Sequence, residues 1–164
     1  MEDTEESAAL TKLHPDHVKV TRIVASIWML LLAIPFVIAE VAQTLGDERA
    51  LPMGVVFIPW MILAIFIVYR LPLRRYHFRG FDMGADRIRI VRGYLFHSDT
   101  IVPFGRIQHI DVDQGPIQRR YNLATLTVHT AGNHNSTVSL PGLLHEDAIA
   151  MREEIRSHIR RESL

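Results

Sequence analysis

The sequence predicts an α+β membrane protein: a transmembrane hairpin of two helices, then a bent β-sheet or open barrel capped by a C-terminal α-helix. Two long apolar runs follow a polar start, short alternating segments follow the second run, and the C-terminal segment repeats apolar residues every three or four positions. These patterns divide the chain into a polar N-terminal tail at 1–21, a transmembrane hairpin at 22–70 and a cytoplasmic domain at 71–164.

Two apolar runs predict the membrane spans. Residues 23–45 contain no charge before Glu40, and residues 51–69 contain none at all. A helix of about 20 apolar residues crosses the hydrocarbon core of a bilayer. Buried core helices are the competing interpretation, but the rest of so short a chain could not cover two such runs. The two runs therefore predict a lipid-embedded hairpin.

Three residues inside the runs bear on this interpretation. Pro35 and Pro59 lie within the first and second run, where membrane helices tolerate proline because neighbouring groups satisfy the freed carbonyls. Glu40 is an ionisable residue within a span, and such residues are by default candidates for a functional role. Because it lies close to the connecting loop, its side chain has the alternative of extending to the interface.

Charge placement predicts the orientation of the hairpin. The loop between the runs is short, so the helices are antiparallel and both termini lie on one side. Basic residues flank the outer ends of the hairpin: Lys12, Lys19, Arg22, Arg70, Arg74 and Arg75. The loop holds one arginine. The positive-inside rule then predicts a multi-pass protein of the cell (inner) membrane with cytoplasmic N- and C-termini.

Alternating segments predict the strands of the soluble domain. Residues 86–93 alternate arginine with isoleucine, which predicts a strand with Ile88 and Ile90 inward and Arg87 and Arg89 outward. Further strands are predicted at 97–104, 106–114, 123–130 and 136–142. Four of their side chains are predicted to face inward: Leu126, Val128, Val138 and Leu140. Glycine-containing turns separate the segments, at 83–84, 92–93, 115–116 and 132–133.

The C-terminal segment changes to a helical period. One apolar face is predicted for a helix at about 144–161, formed by Leu144, Ala148, Met151, Ile155 and Ile159. Several strands followed by one amphipathic helix are typical of a small sheet or open barrel that the helix closes at one end.

Over about residues 20–160 the chain resembles a known family, the bacterial pleckstrin-homology-like (PH-like) membrane proteins of the YdbS type. The matching motifs are Ile107-Gln108, Gln114-Gly115-Pro116, Arg119, Leu123-Ala124-Thr125-Leu126 and Thr130-Ala131-Gly132. Asn122 departs from the family, which usually has glycine there, but asparagine is the next best residue at positive φ. The resemblance implies a seven-stranded bent sheet with a C-terminal helix, for which the chain offers the strands predicted above and a further candidate segment near 76–81.

The resemblance also implies a non-catalytic role as a scaffold or regulatory interaction module in a membrane assembly. The implied partners are the lipid bilayer and a membrane protein, either a larger relative with several copies of the PH-like domain or a second copy of this chain. Exposed strand edges and a groove beside the terminal helix are the surfaces suited to docking.

Composition and motifs argue against other functions. The chain has 164 residues, with 18 basic and 18 acidic residues and no cysteine. A general nucleic-acid binder needs a clear cationic excess. Cysteine-ligated metals and thiol catalysis are excluded, the nine histidines do not show zinc-site spacing, and no cofactor motif occurs. The predicted strands leave open that His109 and His129 meet on an exposed face. We therefore expect no enzyme activity, cofactor, metal or nucleic-acid partner.

Arginines support an alternative function, the sensing of an anionic lipid or ligand through its phosphate groups. The planar guanidinium suits phosphate. The candidate contacts, for a partner or an anion, are Arg119, Arg120, Arg74, Arg75 and Arg79. The last three are also explained as topology determinants beside an anionic leaflet. Arg119 has the further alternative of pairing with Asp111 or Asp113 to brace its turn. The sequence does not choose between these roles.

Overall fold

The structure, a computed structural model, describes residues 10–45, 52, 54–93, 97–131 and 137–162. These residues form two compact units. Thr21–Arg74 make up the helical unit, and the described residues before Thr21 join those from Arg75 onward in the β unit. The predicted turn at 132–133 lies outside the described residues.

The helical unit is the predicted antiparallel hairpin of α1 (Asp16–Leu45) and α2 (Phe57–His77). At one end the Glu40 carboxylate accepts a hydrogen bond from the backbone N–H of Gly54. At the other end the Arg22 guanidinium lies 5.5 Å from the centre of the Tyr69 ring. Both helices are long and apolar enough to cross a membrane. Large apolar side chains point away from the protein along both: Trp28, Leu30, Ile38, Ile62 and Phe66 are all at least 60% exposed.

The helix limits differ from the apolar runs. α1 begins at Asp16, before the run, and α2 begins at Phe57 and continues to His77. Pro59 consequently lies in the first turn of α2, where a missing N–H leaves no intrahelical bond unmade. The interior proline of α2 is Pro72, which is buried. Hydropathy marks where a helix meets lipid and not where its hydrogen bonding begins and ends.

The β unit contains two antiparallel three-stranded sheets. The first consists of β1 (Arg79–Met83), β2 (Arg87–Arg92) and β3 (Ser98–Pro103) in that order. A short 3₁₀ turn leads to the second sheet of β4 (Ile107–Asp113), β5 (Leu123–Thr130) and β6 (Thr137–Leu144). A short helix α3 (Pro116–Arg120) connects β4 to β5, and α4 (His145–Glu162) follows β6.

The predicted strand faces are confirmed, and so is the predicted helix face apart from Leu144, which is the last residue of β6. Ile88 and Ile90 of β2 are buried, as are Leu126 and Val128 of β5. The same core takes up Val138 and Leu140 from β6 and three side chains from α4: Ala148, Met151 and Ile155. The helix caps the sheets as predicted, because its apolar stripe covers the open end of the core.

The strand count differs from the implied seven. The described residues form six strands, and the segment near 76–81 supplies only the start of β1. Beside β1, a single bridge joins Thr11 to Phe81 through two backbone hydrogen bonds of 2.8 and 3.0 Å. A short piece of chain before α1 therefore pairs with the first sheet.

The described part of the predicted N-terminal tail packs on the β unit. Leu13 is 2% exposed, and Val18 and Val20 are also buried. The hydroxyl of Tyr76, at the end of α2, donates to the Leu13 carbonyl at 3.1 Å. Three apolar residues scattered among charges form no periodic pattern, which is why the segment looked like a solvated tail. The segments that flank the helical unit in the chain thus belong to the same β unit.

Candidate functional site

A groove lies between β4 and α4, where docking beside the terminal helix was expected. Its volume is about 490 Å³. Apolar, polar and basic side chains line it: Ile107, Gln108, His109, Ile110, Arg152, Arg156 and Ile159. Within the described chain β4 pairs only with β5, so one side of the strand is an open edge. Backbone groups along such an edge can bond to an added extended segment.

The charge of the groove is positive. Arg152 is paired with Glu153, whose Oε1 lies 3.0 Å from Nε and 2.9 Å from Nη2 of the arginine. Arg156 is exposed, and no ion pair engages it in the part of the chain that the structure describes. The described residues that line the groove include no carboxylate. A segment with acidic side chains is the complementary occupant.

A second, smaller cavity lies between the two sheets and contains a pair of arginines. Arg79 of β1 and Arg92 of β2 are directly opposite each other in the strand register. They lie on the strand face that also carries Phe81 and Ile90, which is the core face. Nη2 of Arg92 donates to the carbonyl of Ser139 in the other sheet at 2.5 Å. The cavity has a volume of about 230 Å³.

Among the described residues, none of those that line this arginine cavity is acidic. The lining residues are Leu13, Arg79, Gly80, Ile90, Val91, Arg92, Ser139, Leu140 and Pro141. Burial lowers the pKa of the Arg79 guanidinium from its usual value, and the charges of Arg92 and Arg75 lower it further. Burial likewise lowers the pKa of Arg92. The two cations are therefore partly desolvated, and the part of the chain that the structure describes places no anion in the cavity.

Arg119 and Arg120 lie on α3 and not in an irregular loop. Both are exposed, and neither has an ion pair or side-chain hydrogen bond within the described ranges. The idea that Arg119 pairs with Asp111 or Asp113 is wrong. Two glutamines brace the turn instead. Gln114 donates to the Leu123 carbonyl at 2.9 Å, and Gln118 accepts from the Gly115 N–H at 2.8 Å and donates to Thr125 at 3.0 Å.

The remaining predicted contacts do not gather around the cavity. Arg74 and Arg75 are exposed residues near the C-terminal end of α2. Neither lines the arginine cavity, although the charge of Arg75 is felt at Arg79. Arg119 and Arg120 do not line it either. Of the five predicted arginines, Arg79 lines the arginine cavity.

His109 and His129 meet on the second sheet. The strand register pairs them, and their ring centroids lie 6.0 Å apart. Asp111 lies between them, with its carboxylate oxygens 2.8 Å from Nε2 of His109 and 3.2 Å from Nε2 of His129. No group of three or more residues that could hold a metal ion occurs among the described residues. The cluster is an exposed set of polar contacts that joins β4 and β5.

Arg92 was not among the binding residues predicted from the sequence. The available signal was its position, two residues beyond Ile90 in the inward alternation of β2. An arginine at the end of a strand is usually taken as the point where the alternation stops. Its inward position becomes significant only when the strand register shows Arg79 opposite it.

Comparison with known proteins agrees with the architecture. The family model described as "Bacterial PH domain" matches residues 17–159. The transmembrane protein YdbS (UPF0699) of Bacillus subtilis (strain 168) is 33% identical over 102 residues. This match covers 62% of this chain and 62% of the relative's length. No solved structure matches the chain significantly.

Proposed function

This chain belongs to the bacterial PH domain family, and we propose that its β unit is a non-catalytic interaction module that holds or regulates a partner in a membrane assembly. The observation that carries this proposal is the groove between β4 and α4. It combines an open strand edge, isoleucine side chains and an unpaired Arg156.

The occupant that this groove favours is an extended, acidic segment of another membrane protein. Main-chain bonding to β4 supplies affinity for any extended chain, and side-chain contacts supply selectivity. Ile107, Ile110 and Ile159 provide apolar contact area, while Arg156 favours a carboxylate. A bulge after Ile107 takes Gln108 out of the β4–β5 ladder, which limits regular pairing of an added strand to the part of β4 from His109 onward.

We further propose that both termini are cytoplasmic in the inner membrane. Two observations support this orientation. The flanks of the hairpin are basic, and Leu13 before α1 belongs to the same β unit as Tyr76 at the end of α2. Since one folded unit holds both flanks, they share one side of the membrane. Alkaline phosphatase fused to the C-terminus should be inactive, and active enzyme there would overturn the orientation.

The alternative function, sensing an anionic lipid through the five predicted arginines, has less support. Arg79 faces its own cavity with Arg92, whereas Arg119 and Arg120 are exposed on α3. Exposed arginines without a shaped cavity do not select one anion over another.

Photocrosslinking in native membranes tests the module. A photoreactive amino acid replaces Gln108, an exposed groove residue, in the full-length protein, and a matched control carries it at the exposed Arg87 on the first sheet. We expect one membrane protein to crosslink from Gln108 and not from Arg87. The crosslinked peptide of the partner should be acidic.

Charge reversal decides whether the groove makes the contact. Arg156→Glu should abolish the crosslink, while Arg120→Glu on α3 should leave it unchanged. A crosslink to a second copy of this chain would show that the groove mediates self-association and does not bind another membrane protein. Equal crosslinking from both positions, or capture of lipid alone, would contradict the proposal.

A further inference from the structure

The arginine cavity presents an arrangement that folding alone does not favour. Like charges directly opposite each other on neighbouring strands destabilise a sheet. Charged side chains on a core face are rare unless they are paired. Arg79 and Arg92 combine both features, since they face each other across β1 and β2 on the face that carries Ile90. They lie at the end of this hairpin away from its Gly84 turn.

The protein supplies little compensation for these charges. The Ser139 carbonyl takes one N–H of Arg92, which leaves the other donors of that guanidinium available. Arg79 has no hydrogen bond or ion pair with any of the described residues, and none of the described residues that line the cavity is acidic. The rest of the lining includes Leu13, Leu140 and Pro141, which lower the local dielectric and strengthen any ionic contact made there.

We infer that the cavity between Arg79 and Arg92 is a binding site for a small oxyanion of the phosphate class. Two guanidinium groups converge on one space, and each can donate a pair of parallel N–H groups to two oxygens. The volume of about 230 Å³ is below the usual range for drug-sized ligands, which favours a single phosphoryl group over a nucleotide. The source is either free phosphate or the headgroup of an anionic lipid. This site is separate from the β4–α4 groove.

Calorimetric titration with inorganic phosphate is the first test. The full-length protein is held in nanodiscs of phosphatidylcholine, in a buffer free of other oxyanions. We expect saturable binding, and we expect Arg79→Gln and Arg92→Gln each to weaken it about tenfold or more, because each removes charge-assisted hydrogen bonds. Arg87→Gln is the matched control, since Arg87 is an exposed residue of β2 that does not line the cavity.

Stability without phosphate gives a second readout. If Arg79 is kept for an anion, Arg79→Gln removes repulsion and should raise the urea midpoint of the β unit in anion-free buffer. A purely structural role for Arg79 predicts a lower midpoint instead, and that result together with absent phosphate binding overturns the inference.

Lipid composition distinguishes the two sources. Hydrogen exchange of β1 and β2 is compared in nanodiscs with and without phosphatidylglycerol. If exchange of β1 and β2 slows only when phosphate is added, the ligand is a soluble anion. If phosphatidylglycerol slows exchange and Arg79→Gln abolishes that effect, the ligand is a lipid headgroup. If neither protects, the inference fails. It also fails if phosphate binds only after the acidic residues Glu2, Asp3, Glu5 and Glu6 are neutralised, since the chain's own carboxylates would then occupy the cavity. None of these variants touches the β4–α4 groove, so crosslinking from Gln108 remains an independent result.

Discussion

Arg89 and Asp99 form a two-pronged ion pair across β2 and β3. Nε of Arg89 lies 3.1 and 3.0 Å from the two carboxylate oxygens of Asp99, and Nη2 lies 2.6 Å from Oδ2. The side chains are partly exposed, at 24% and 30%. The pair lies on the outer face of the first sheet, opposite the face that packs in the core, and links β2 to β3.

This pair makes the β unit sensitive to acid. The hydrogen bonds from Arg89 lower the pKa of Asp99 below its usual value of 3.8. The stabilisation is therefore complete above that value and is lost as the pH falls through the lower pKa of the folded state. Asp99→Asn should reduce the free energy of unfolding at neutral pH by about 0.5–1 kcal/mol, and the difference from wild type should vanish in strong acid.

Urea denaturation followed by far-ultraviolet circular dichroism measures this effect. Fluorescence is unsuitable, because both tryptophans, Trp28 and Trp60, belong to the helical unit. Asp113→Asn is the matched control, since Asp113 is exposed and has no ion pair within the described chain. A difference that persists unchanged in strong acid would show that the ion pair is not its cause.

Asn122 should tolerate glycine but not a branched side chain. It has a φ of +52°, and its carbonyl accepts a hydrogen bond of 3.0 Å from the His145 N–H at the start of α4. Asn122→Gly should change stability by less than about 1 kcal/mol, whereas Asn122→Val should cost about 1–2 kcal/mol or more. Urea midpoints measure both variants. Equal loss in the two would show that the asparagine side chain matters rather than its backbone.

Gly142 is the position in β6 where an added methyl group should be most costly. Its φ is +79°, and a Cβ there would lie 2.6 Å from Cγ of His17. Gly142→Ala should lose about 1–3 kcal/mol from backbone strain and the clash together. The double variant His17→Ala/Gly142→Ala should recover the steric part, so the two changes should be non-additive in a double-mutant cycle. Additive losses would mean that His17 does not limit this position.

Glu40 should matter as a hydrogen-bond acceptor. Its carboxylate accepts from the Gly54 N–H and so joins the end of α1 to the turn before α2. Glu40→Gln keeps an acceptor and should be mild, whereas Glu40→Ala should destabilise the hairpin by about 1 kcal/mol. Thermal unfolding in detergent, followed by fluorescence of Trp60, measures this. Glutamine as damaging as alanine would instead indicate a role for the charge.

Sequence patterns were sufficient for the elements of the fold. Alternation placed Ile88, Ile90, Leu126 and Val128 on the inner faces, and the helical period placed Ala148 and Ile155 on the core side of α4. These signals are strong because one face of each element is buried and the other is not. The positive φ of Asn122 followed from local residue chemistry in the same way.

The candidate sites depend on relationships between distant segments, which no local pattern records. The register that places Arg79 opposite Arg92 is set by the turn between β1 and β2 and by packing of the whole sheet. The groove required β4 and α4 to be adjacent, although Ile107 and Ile159 are far apart in the chain. The bracing by Gln114 and Gln118 was missed because a charged pair seemed the simpler way to hold the turn.

The position of Leu13 has a consequence for biogenesis. Leu13 is buried in the β unit, yet in the chain the whole helical unit lies between Leu13 and β1, the first strand. During synthesis it leaves the ribosome before either span has entered the membrane, and its binding surface is complete only once β6 has been made. We therefore expect the β unit to finish folding only after both helices of the hairpin have been synthesised.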